Sequence, residues 1–400
     1  MMRFGITLLI FFTLLSCQKN EDEMPTDGEV ENPTTGNSCL TIDLKERTVC
    51  LHPNFTTESL PSLNDFQGCW LIPDDQIRDG GPGKDGIPSI DVPVFAPVTS
   101  IDFMQEEDLI IGVKAGDEIR GYPHPILDWH EIVNDEFDFV DEANCNVYLA
   151  VNYCPLTGTA IAWNRRLQDE PTTFGVSGLL YNTNLIPYDR QSNSNWSQMR
   201  LDCVEGDRIG EQIETYPLIE MSWSAWKQRF PKSMILNTET GFSRAYGQYP
   251  YGNYKVSNAL LFPVNHEDNR LPSKERVLGV IADYKAKVYR FESLDQNTDK
   301  SIEVIEDSFK GRELVIVGSK RENFLIAFQR ELEDGTLLNF KAAPDGEEAI
   351  LLDQEGNSWN IFGEAIAGPR TGEYLKIPRS YIGYFFSWAA FYGDVEIYEG

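Results

Sequence analysis

The sequence predicts a β-dominated α+β fold made of two pseudo-symmetric, β-rich halves that arose by internal duplication. Two observations predict it. Short alternating apolar runs separated by turn residues fill most of the chain, which is typical of strands. Five motifs also recur in the same order at offsets of 163 to 167 residues, and chance similarity between short strands does not produce five ordered matches.

The matched motifs share an apolar or aromatic character. They are residues 110–113 with 277–280, Tyr122 with Tyr289, residues 161–165 with 326–330, Trp196 with Trp359, and residues 223–226 with 388–391. A unit of about 120 residues is long enough to bury its own core. Two units related by duplication are expected to share one core instead.

Helices are predicted to be few and short. Residues 223–230 form a tryptophan-bearing amphipathic stretch that Pro231 closes, and a second short helix is expected around His130 and Glu131. Turn residues such as Gly116 separate the strand-like runs. The sequence therefore predicts a sheet-rich fold in which helices are minor elements.

Composition and motifs divide the chain into six segments. They are a signal peptide (1–16), a lipid anchor and acidic tether (17–37), a cysteine-containing appendage (38–82), a first repeat (83–240), a central aromatic loop and linker (241–274) and a second, degenerate repeat (275–400).

The first residues indicate an exported lipoprotein. Arg3 precedes the apolar run of residues 6–15, and Ser16 stands directly before Cys17. The run is too short to span a bilayer. We therefore expect cleavage before Cys17, acylation of its thiol with chains such as palmitate, and attachment to a membrane of the cell envelope, with the outer membrane favoured. An ordinary signal peptide with an incidental cysteine is the alternative.

The chain is strongly acidic, with 63 acidic and 34 basic residues and a formal net charge of −29. Such a chain is repelled by phosphate backbones, so nucleic acid is not expected as a partner. Acidic surfaces also serve solubility alone.

Six further cysteines follow Cys17, and an oxidising compartment favours disulfides among them. They are Cys39, Cys50, Cys69, Cys145, Cys154 and Cys203. Fifteen pairings are possible, so the connectivity stays open.

The candidate site lies in the first repeat, because its twin lacks the same groups. Cys154 is expected at an accessible hairpin tip, where His130 would favour its thiolate, and Ser319 takes the matching place in the second repeat. Cys154, His130 and Glu131 are the catalytic candidates. Cys154 as a core residue or disulfide partner, and His130 as a structural helix residue, are the alternatives. His124, between two prolines, is expected to be a turn residue.

The central loop is rich in tyrosine and glycine, which suits a loop that lines a cleft. Arg244, Tyr246 and Trp196 are the candidate ligand-binding residues. A rigid linker that packs its rings on both halves is the alternative.

Several longer motifs carry a family resemblance. They are residues 86–91, 129–135, 153–158, 174–180 and 272–279. On these motifs the chain, over roughly residues 83–395, resembles domain-of-unknown-function family 3179. The family implies no established activity. Many members have a second cysteine where this chain has Thr157, which weakens a dithiol or zinc interpretation.

Two classes of function remain as hypotheses. The first is a ligand or metal site built from Cys154, His130 and Glu131, where Cys154 and His130 would suit zinc or copper. The second is a non-catalytic module that presents aromatic side chains to a glycan or peptide, among them Trp196, Trp223, Tyr249 and Tyr251. A hydrolase with paired carboxylates ranks last, because no pair stands out among 63 acidic residues.

Overall fold

The computed structural model describes two short strands, at residues 42–43 and 48–49, and residues 70–140, 146–294, 302–346 and 348–400. The predicted signal peptide, Cys17 and the tether lie outside the described residues. So do Cys39, Cys50, Cys69 and Cys145.

The fold is β-dominated, as the sequence predicts. The strands up to residue 240 are β1 (Ile42–Asp43), β2 (Thr48–Val49), β3 (Arg78–Asp79), β4 (Phe95–Pro97), β5 (Leu109–Ala115), β6 (Glu118–Pro123), β7 (Ile132–Val140), β8 (Asn146–Cys154), β9 (Thr159–Asn164), β10 (Arg166–Leu167), β11 (Glu170–Pro171), β12 (Phe174–Tyr181), β13 (Asn184–Asp189), β14 (Asn195–Ser197), β15 (Asp202–Glu205), β16 (Thr215–Tyr216), β17 (Ile219–Ser222) and β18 (Met234–Leu236). The later strands are β19 (Arg276–Ala282), β20 (Lys285–Arg290), β21 (Glu303–Phe309), β22 (Arg312–Ser319), β23 (Phe324–Gln329), β24 (Phe340–Ala342), β25 (Ala349–Asp353), β26 (Ser358–Asn360), β27 (Ala365–Ala367), β28 (Ser380–Tyr384) and β29 (Glu396–Ile397).

Among the described residues, three α-helices accompany these strands. They are α1 (His124–His130), α2 (Trp223–Arg229) and α3 (Phe385–Tyr392). Single 3₁₀ turns occur at Asp74–Gln76, Val98–Ser100, Tyr254–Val256 and Phe291–Ser293. No helix among the described residues is long and apolar enough to cross a bilayer.

The sheets of the first half (residues 70–240) and the second half (residues 275–400) have related strand orders. The first half has sheets ordered β17-β5-β6-β18-β4, β16-β9-β8-β7 and β15-β14-β13-β12-β3, and the second half has β28-β19-β20-β29, β21-β22-β23 and β24-β25-β26-β27. Two small hairpins, β1-β2 and β10-β11, stand apart from these sheets. In each half the last strand pairs in parallel with the second strand of the leading hairpin, β18 with β6 and β29 with β20.

The two halves share their core. One buried apolar cluster contains Trp163 of the first half and Trp388 of the second, and another contains Trp226 and Trp359. All four indoles are fully buried. Neither half therefore covers its own apolar surface completely.

A tryptophan presses against a glycine in each leading hairpin. A Cβ added to Gly112 would lie 2.1 Å from a ring carbon of Trp226, and one added to Gly279 would lie 2.3 Å from a ring carbon of Trp388. Trp226 therefore corresponds in position to Trp388. The sequence comparison paired Trp223 with Trp388 and was wrong by one helical turn, because α2 carries two tryptophans three residues apart.

Candidate functional site

The candidate site is built on α1, the short helix that follows β6. Pro125 lies in its first turn, where a fixed φ is tolerated. The helix ends at Glu131, whose backbone is left-handed (φ 59°) and whose N–H donates to Leu127 O at 2.8 Å. Glycine is usual at such a cap, and another residue costs about 1 kcal/mol or more. Asp128 precedes Glu131 by three residues, so their side chains leave the helix as neighbours.

Both carboxyl groups are buried, since Asp128 is 5% exposed and Glu131 is 6% exposed. Asp128 Oδ2 accepts a hydrogen bond from Lys255 Nζ at 3.0 Å, whereas Oδ1 has no hydrogen-bond partner among the described residues. Burial raises the pKa of Asp128, and the Lys255 ammonium opposes that rise. Burial raises the pKa of Glu131 to about 7, against the hydrogen bond from Tyr251 and together with the charge of Asp128.

Cys154 lies at the end of β8 and is 1% exposed. Its Sγ lies 3.7 Å from Thr183 O. Burial raises the pKa of this thiol to about 11, and the charge of Glu131 adds to the rise, so the thiol is neutral at pH 7. The expectation of an accessible thiol with a lowered pKa is therefore wrong. We call Asp128, Glu131 and Cys154 together the carboxylate–thiol cluster.

Both cysteines among the described residues are free thiols. Cys154 and Cys203 are both buried, and neither forms a disulfide. Cys203 Sγ instead lies 3.3 Å from Asn195 O and 3.3 Å from Glu205 O. The alternative of a disulfide between Cys154 and Cys203 is thus excluded, and any pairing that involves Cys39, Cys50, Cys69 or Cys145 falls on residues outside the described part of the chain.

A buried polar network fixes the turn after Cys154. Its members are Asn152, Thr157, Thr159, Asn184 and Gln198. Thr157 Oγ1 lies 2.8 Å from Thr159 Oγ1 and accepts from Asn184 Nδ2 at 2.9 Å. The hydroxyl at position 157 therefore has a structural role in this chain, and the turn is held rigidly beside the thiol.

The central segment (residues 241–274) covers the cluster. Tyr251 donates to Glu131 Oε1 at 3.2 Å, and Tyr249 and Tyr254 donate to the carbonyls of Pro155 and Leu156 at 3.2 and 2.9 Å. These three hydroxyls attach the central segment to α1 and to the turn after β8. The segment is therefore a lid over the site in this conformation.

His130 is held as a neutral ring. Its Nδ1 lies 2.8 Å from Pro88 O, a pure acceptor, so Nδ1 carries the proton. Its Nε2 then accepts from Tyr246 Oη at 2.7 Å, and Tyr246 Oη lies 2.5 Å from Thr240 Oγ1. Burial lowers the pKa of His130, and the positive charge of Arg244 contributes. Tyr246 thus contacts His130, the charge of Arg244 acts on it, and both nitrogens of His130 are engaged by groups other than Cys154.

The second half supplies one wall of the site. Tyr384 N donates to Thr157 O at 2.7 Å, and a Cβ added to Gly158 would lie 3.0 Å from the ring of Tyr384. Burial raises the pKa of Tyr384 to about 12, against the positive charge of Arg276 and together with the charge of Asp128. The site therefore needs both halves.

A buried ion network lies behind α1. His124, expected as a turn residue, begins the helix and is 4% exposed, with Nε2 3.0 Å from Glu220 Oε2. Arg276 of the second half donates to the other oxygen of Glu220. Burial would raise the pKa of Glu220, but Arg276 and His124 outweigh it and lower that pKa to about 2.

The tryptophans proposed for ligand binding are core residues. Trp196 is fully buried and donates from Nε1 to Asp189 Oδ2 at 3.0 Å, and Trp223 is 2% exposed. The structure thus does not bring Trp196 to the site. In the described part of the chain, no group of three or more His, Cys, Asp or Glu side chains could hold a metal ion.

Sequence reasoning missed Asp128, Lys255 and Tyr384. The spacing of Asp128 and Glu131, three residues apart in a predicted helix, was a readable signal for a carboxyl pair. Nothing near Lys255 or Tyr384 in the sequence indicates their position, because both reach the site through tertiary packing.

The chain was compared with known protein families, curated proteins and solved structures. The family described as "Protein of unknown function (DUF3179)" matches residues 84–395. No curated protein and no solved structure matches the chain.

Proposed function

This chain belongs to the DUF3179 family, and we propose that it binds a small polar ligand at the carboxylate–thiol cluster, beneath the lid of the central segment. The observation that carries the proposal is the unpartnered Oδ1 of Asp128, on a side chain that is 5% exposed. A buried polar atom without a partner costs about 1–3 kcal/mol, so native proteins rarely keep one without a use. A ligand donor would satisfy it.

Glu131 supports the same site. The left-handed backbone of Glu131 carries a conformational free-energy cost that a glycine would avoid. Residues with such backbone strain cluster at functional positions. Its pKa of about 7 allows it to donate or accept a proton near neutral pH. The two carboxyl groups are three residues apart, and the charge of Asp128 helps to raise the pKa of Glu131. Such a pair suits ligand binding that is coupled to proton exchange.

The lid explains how a ligand would be enclosed. Three of its hydrogen bonds to the end of α1 and to the turn after β8 come from tyrosine hydroxyls, and Lys255 adds an ion pair with Asp128. Cys154 stays a neutral thiol beneath this lid and serves as a wall of the site, not as a nucleophile. Nothing favours aromatic surface binding by Trp196 or Trp223, which are buried.

A fragment screen tests the proposal. The mature chain is screened by thermal shift against small cationic, anionic and neutral compounds, and each hit is repeated on Asp128→Asn and Glu131→Gln. We expect at least one compound whose stabilisation is lost in both variants and kept in Asp102→Asn, an exposed carboxyl used as the matched control. If every hit survives both substitutions, the site is misassigned.

We further propose that the protein is a lipoprotein of the cell envelope, anchored through acyl chains on Cys17. The support is the order of Arg3, an apolar run, Ser16 and Cys17 at the start of the sequence. An acidic stretch follows Cys17, which favours a tether that reaches the outer surface.

The two halves are proposed to derive from one duplicated unit. Matched side-chain contacts support this: Tyr122 donates to Asp135 at 2.6 Å in the first half, and Tyr289 donates to Asp307 at 2.8 Å in the second. A cation joins each pair, Arg120 in one and Lys287 in the other. Superposing residues 108–230 on 275–392 should overlay both tyrosines in a single rotation, and a failed overlay would end the proposal.

A further inference from the structure

A lysine of the lid already occupies part of the proposed site. Lys255 Nζ lies 3.0 Å from Asp128 Oδ2 and 4.1 Å from the ring centroid of Tyr249. A carboxylate beside the face of an aromatic ring is the usual setting for an organic cation. The lid thus places an ammonium group where a cationic ligand would bind.

The two partners of this ion pair differ in exposure. The Lys255 side chain is 37% exposed, whereas that of Asp128 is 6% exposed. Lys255 reaches the site on a long flexible stem from the 3₁₀ turn Tyr254–Val256, whereas Asp128 is fixed in α1. Lys255 can therefore leave, and Asp128 would then be an uncompensated buried carboxyl group.

Lys255 satisfies Asp128 only in part. Its ammonium group bonds Oδ2 and leaves Oδ1 without a hydrogen-bond partner among the described residues. A free ammonium group with three donors, placed between the two oxygens, could satisfy both. The lysine, tethered to the lid, does not.

We infer that the ligand of this site is an organic ammonium compound, and that Lys255 is an internal stand-in which the ligand displaces. The inference rests on the proposed function, ligand binding at the carboxylate–thiol cluster, and it specifies the chemical class of that ligand. Glu131, three residues from Asp128, would take a second donor of the same ligand. An anion is disfavoured, because two carboxyl groups line the site and the whole chain has a formal net charge of −29.

The experiment uses Lys255→Met, which keeps the length of the side chain and removes its charge. Binding of n-butylammonium at pH 7 is measured by calorimetry on the mature chain, with n-butanol as the neutral probe and butyrate as the anionic probe. We expect the variant to bind n-butylammonium about tenfold more tightly than the wild type, because the competing internal ammonium is gone. Lys285→Met, at an exposed lysine of β20, is the matched control and should leave the affinity unchanged.

Stability gives a second measurement if the variant is weakened. Lys255→Met should have a lower melting temperature than the wild type, and n-butylammonium should restore it. The double variant with Asp128→Asn should show neither the tighter binding nor the restoration.

The remaining outcomes separate the two levels of the proposal. Equal affinity for n-butylammonium in the wild type and Lys255→Met, or equal binding of n-butanol, would overturn the ammonium inference. If the fragment screen then still yields a neutral or anionic ligand that depends on Asp128, the proposed function stands without it. If no compound of any charge depends on Asp128, both are overturned.

Discussion

The indole nitrogen of Trp196 donates to Asp189 Oδ2 at 3.0 Å, deep inside the first half. Trp359 makes the same bond to Asp353 Oδ2 at 2.8 Å in the second half. Both indoles are fully buried, so each bond satisfies a donor that water cannot reach. Each pair therefore fixes the position of a carboxyl group that also organises the turn after its strand.

Replacing either indole by a phenyl ring should destabilise the protein through this lost bond. We expect Trp196→Phe and Trp359→Phe each to cost about 1–3 kcal/mol more than Trp163→Phe, measured by urea unfolding. Trp163 is the matched control, because it is equally buried but its Nε1 has no hydrogen-bond partner among the described residues. Equal costs for all three variants would mean that the indole bonds contribute nothing.

Glu131 should make stability depend on pH in a defined window. Its pKa rises from 4.5 to about 7 on folding, so the folded state holds the proton more tightly between these values. The free energy of unfolding should therefore fall as the pH rises from 4.5 to 7, by about 3 kcal/mol relative to Glu131→Gln. Parallel pH profiles for the two proteins would contradict the raised pKa.

Cys154 should resist alkylation in the native protein. With a pKa of about 11, its thiolate fraction at pH 7.4 is about a hundredfold below that of an unperturbed thiol, and burial slows access further. Native and urea-unfolded protein are treated with iodoacetamide, and the peptide that contains Cys154 is quantified by mass spectrometry. Native labelling at the unfolded rate would restore the case for a reactive thiol.

Glu220 should be important for joining the halves. Its carboxyl group is buried between His124 and Arg276, so Glu220→Ala leaves the Arg276 guanidinium without its carboxylate partner and should cost about 3–5 kcal/mol in urea unfolding. Glu106→Ala, which breaks an exposed pair with Lys227, should cost less than about 1 kcal/mol. A small cost for Glu220→Ala would show that the network is not needed for stability.

Cys17→Ser should abolish lipid attachment. The variant is expected in the soluble fraction or as an uncleaved precursor, because no thiol is left for acylation at the cleavage site. Cys154→Ser should stay with the membrane fraction and serves as the control. Membrane partitioning of Cys17→Ser would remove the basis for the anchor.

Periodic patterns in the sequence predicted the parts of the fold that depend on local order. Alternating apolar runs predicted the β-dominated class, and Cys154 and Ser319, which are 165 residues apart, are each the last residue of a strand. The apolar clusters that contain residues of both halves agree with the expectation that two such units share one core.

The site could be predicted only in part, because burial depends on distant segments. Cys154 is the last residue of a strand and precedes a turn, which suggests exposure, yet the central segment and Tyr384 close over that turn. Lys255 and Asp128 are 127 residues apart, and no local pattern links them. Tyr246 of the central segment contacts His130, and the tyrosine- and glycine-rich composition of that segment was the local signal for a loop that lines a cleft.

The contacts of Gly112 and Gly279 with tryptophan rings limit which amino acids the gene can encode at these two positions. Every substitution at Gly112 or Gly279 adds at least a methyl group, and that carbon would overlap the ring of Trp226 or Trp388. In a library of all single substitutions, both positions should be depleted of every alternative, including alanine. Relief should come only from paired changes that also shorten the facing tryptophan, so each glycine and its indole are expected to vary together or not at all.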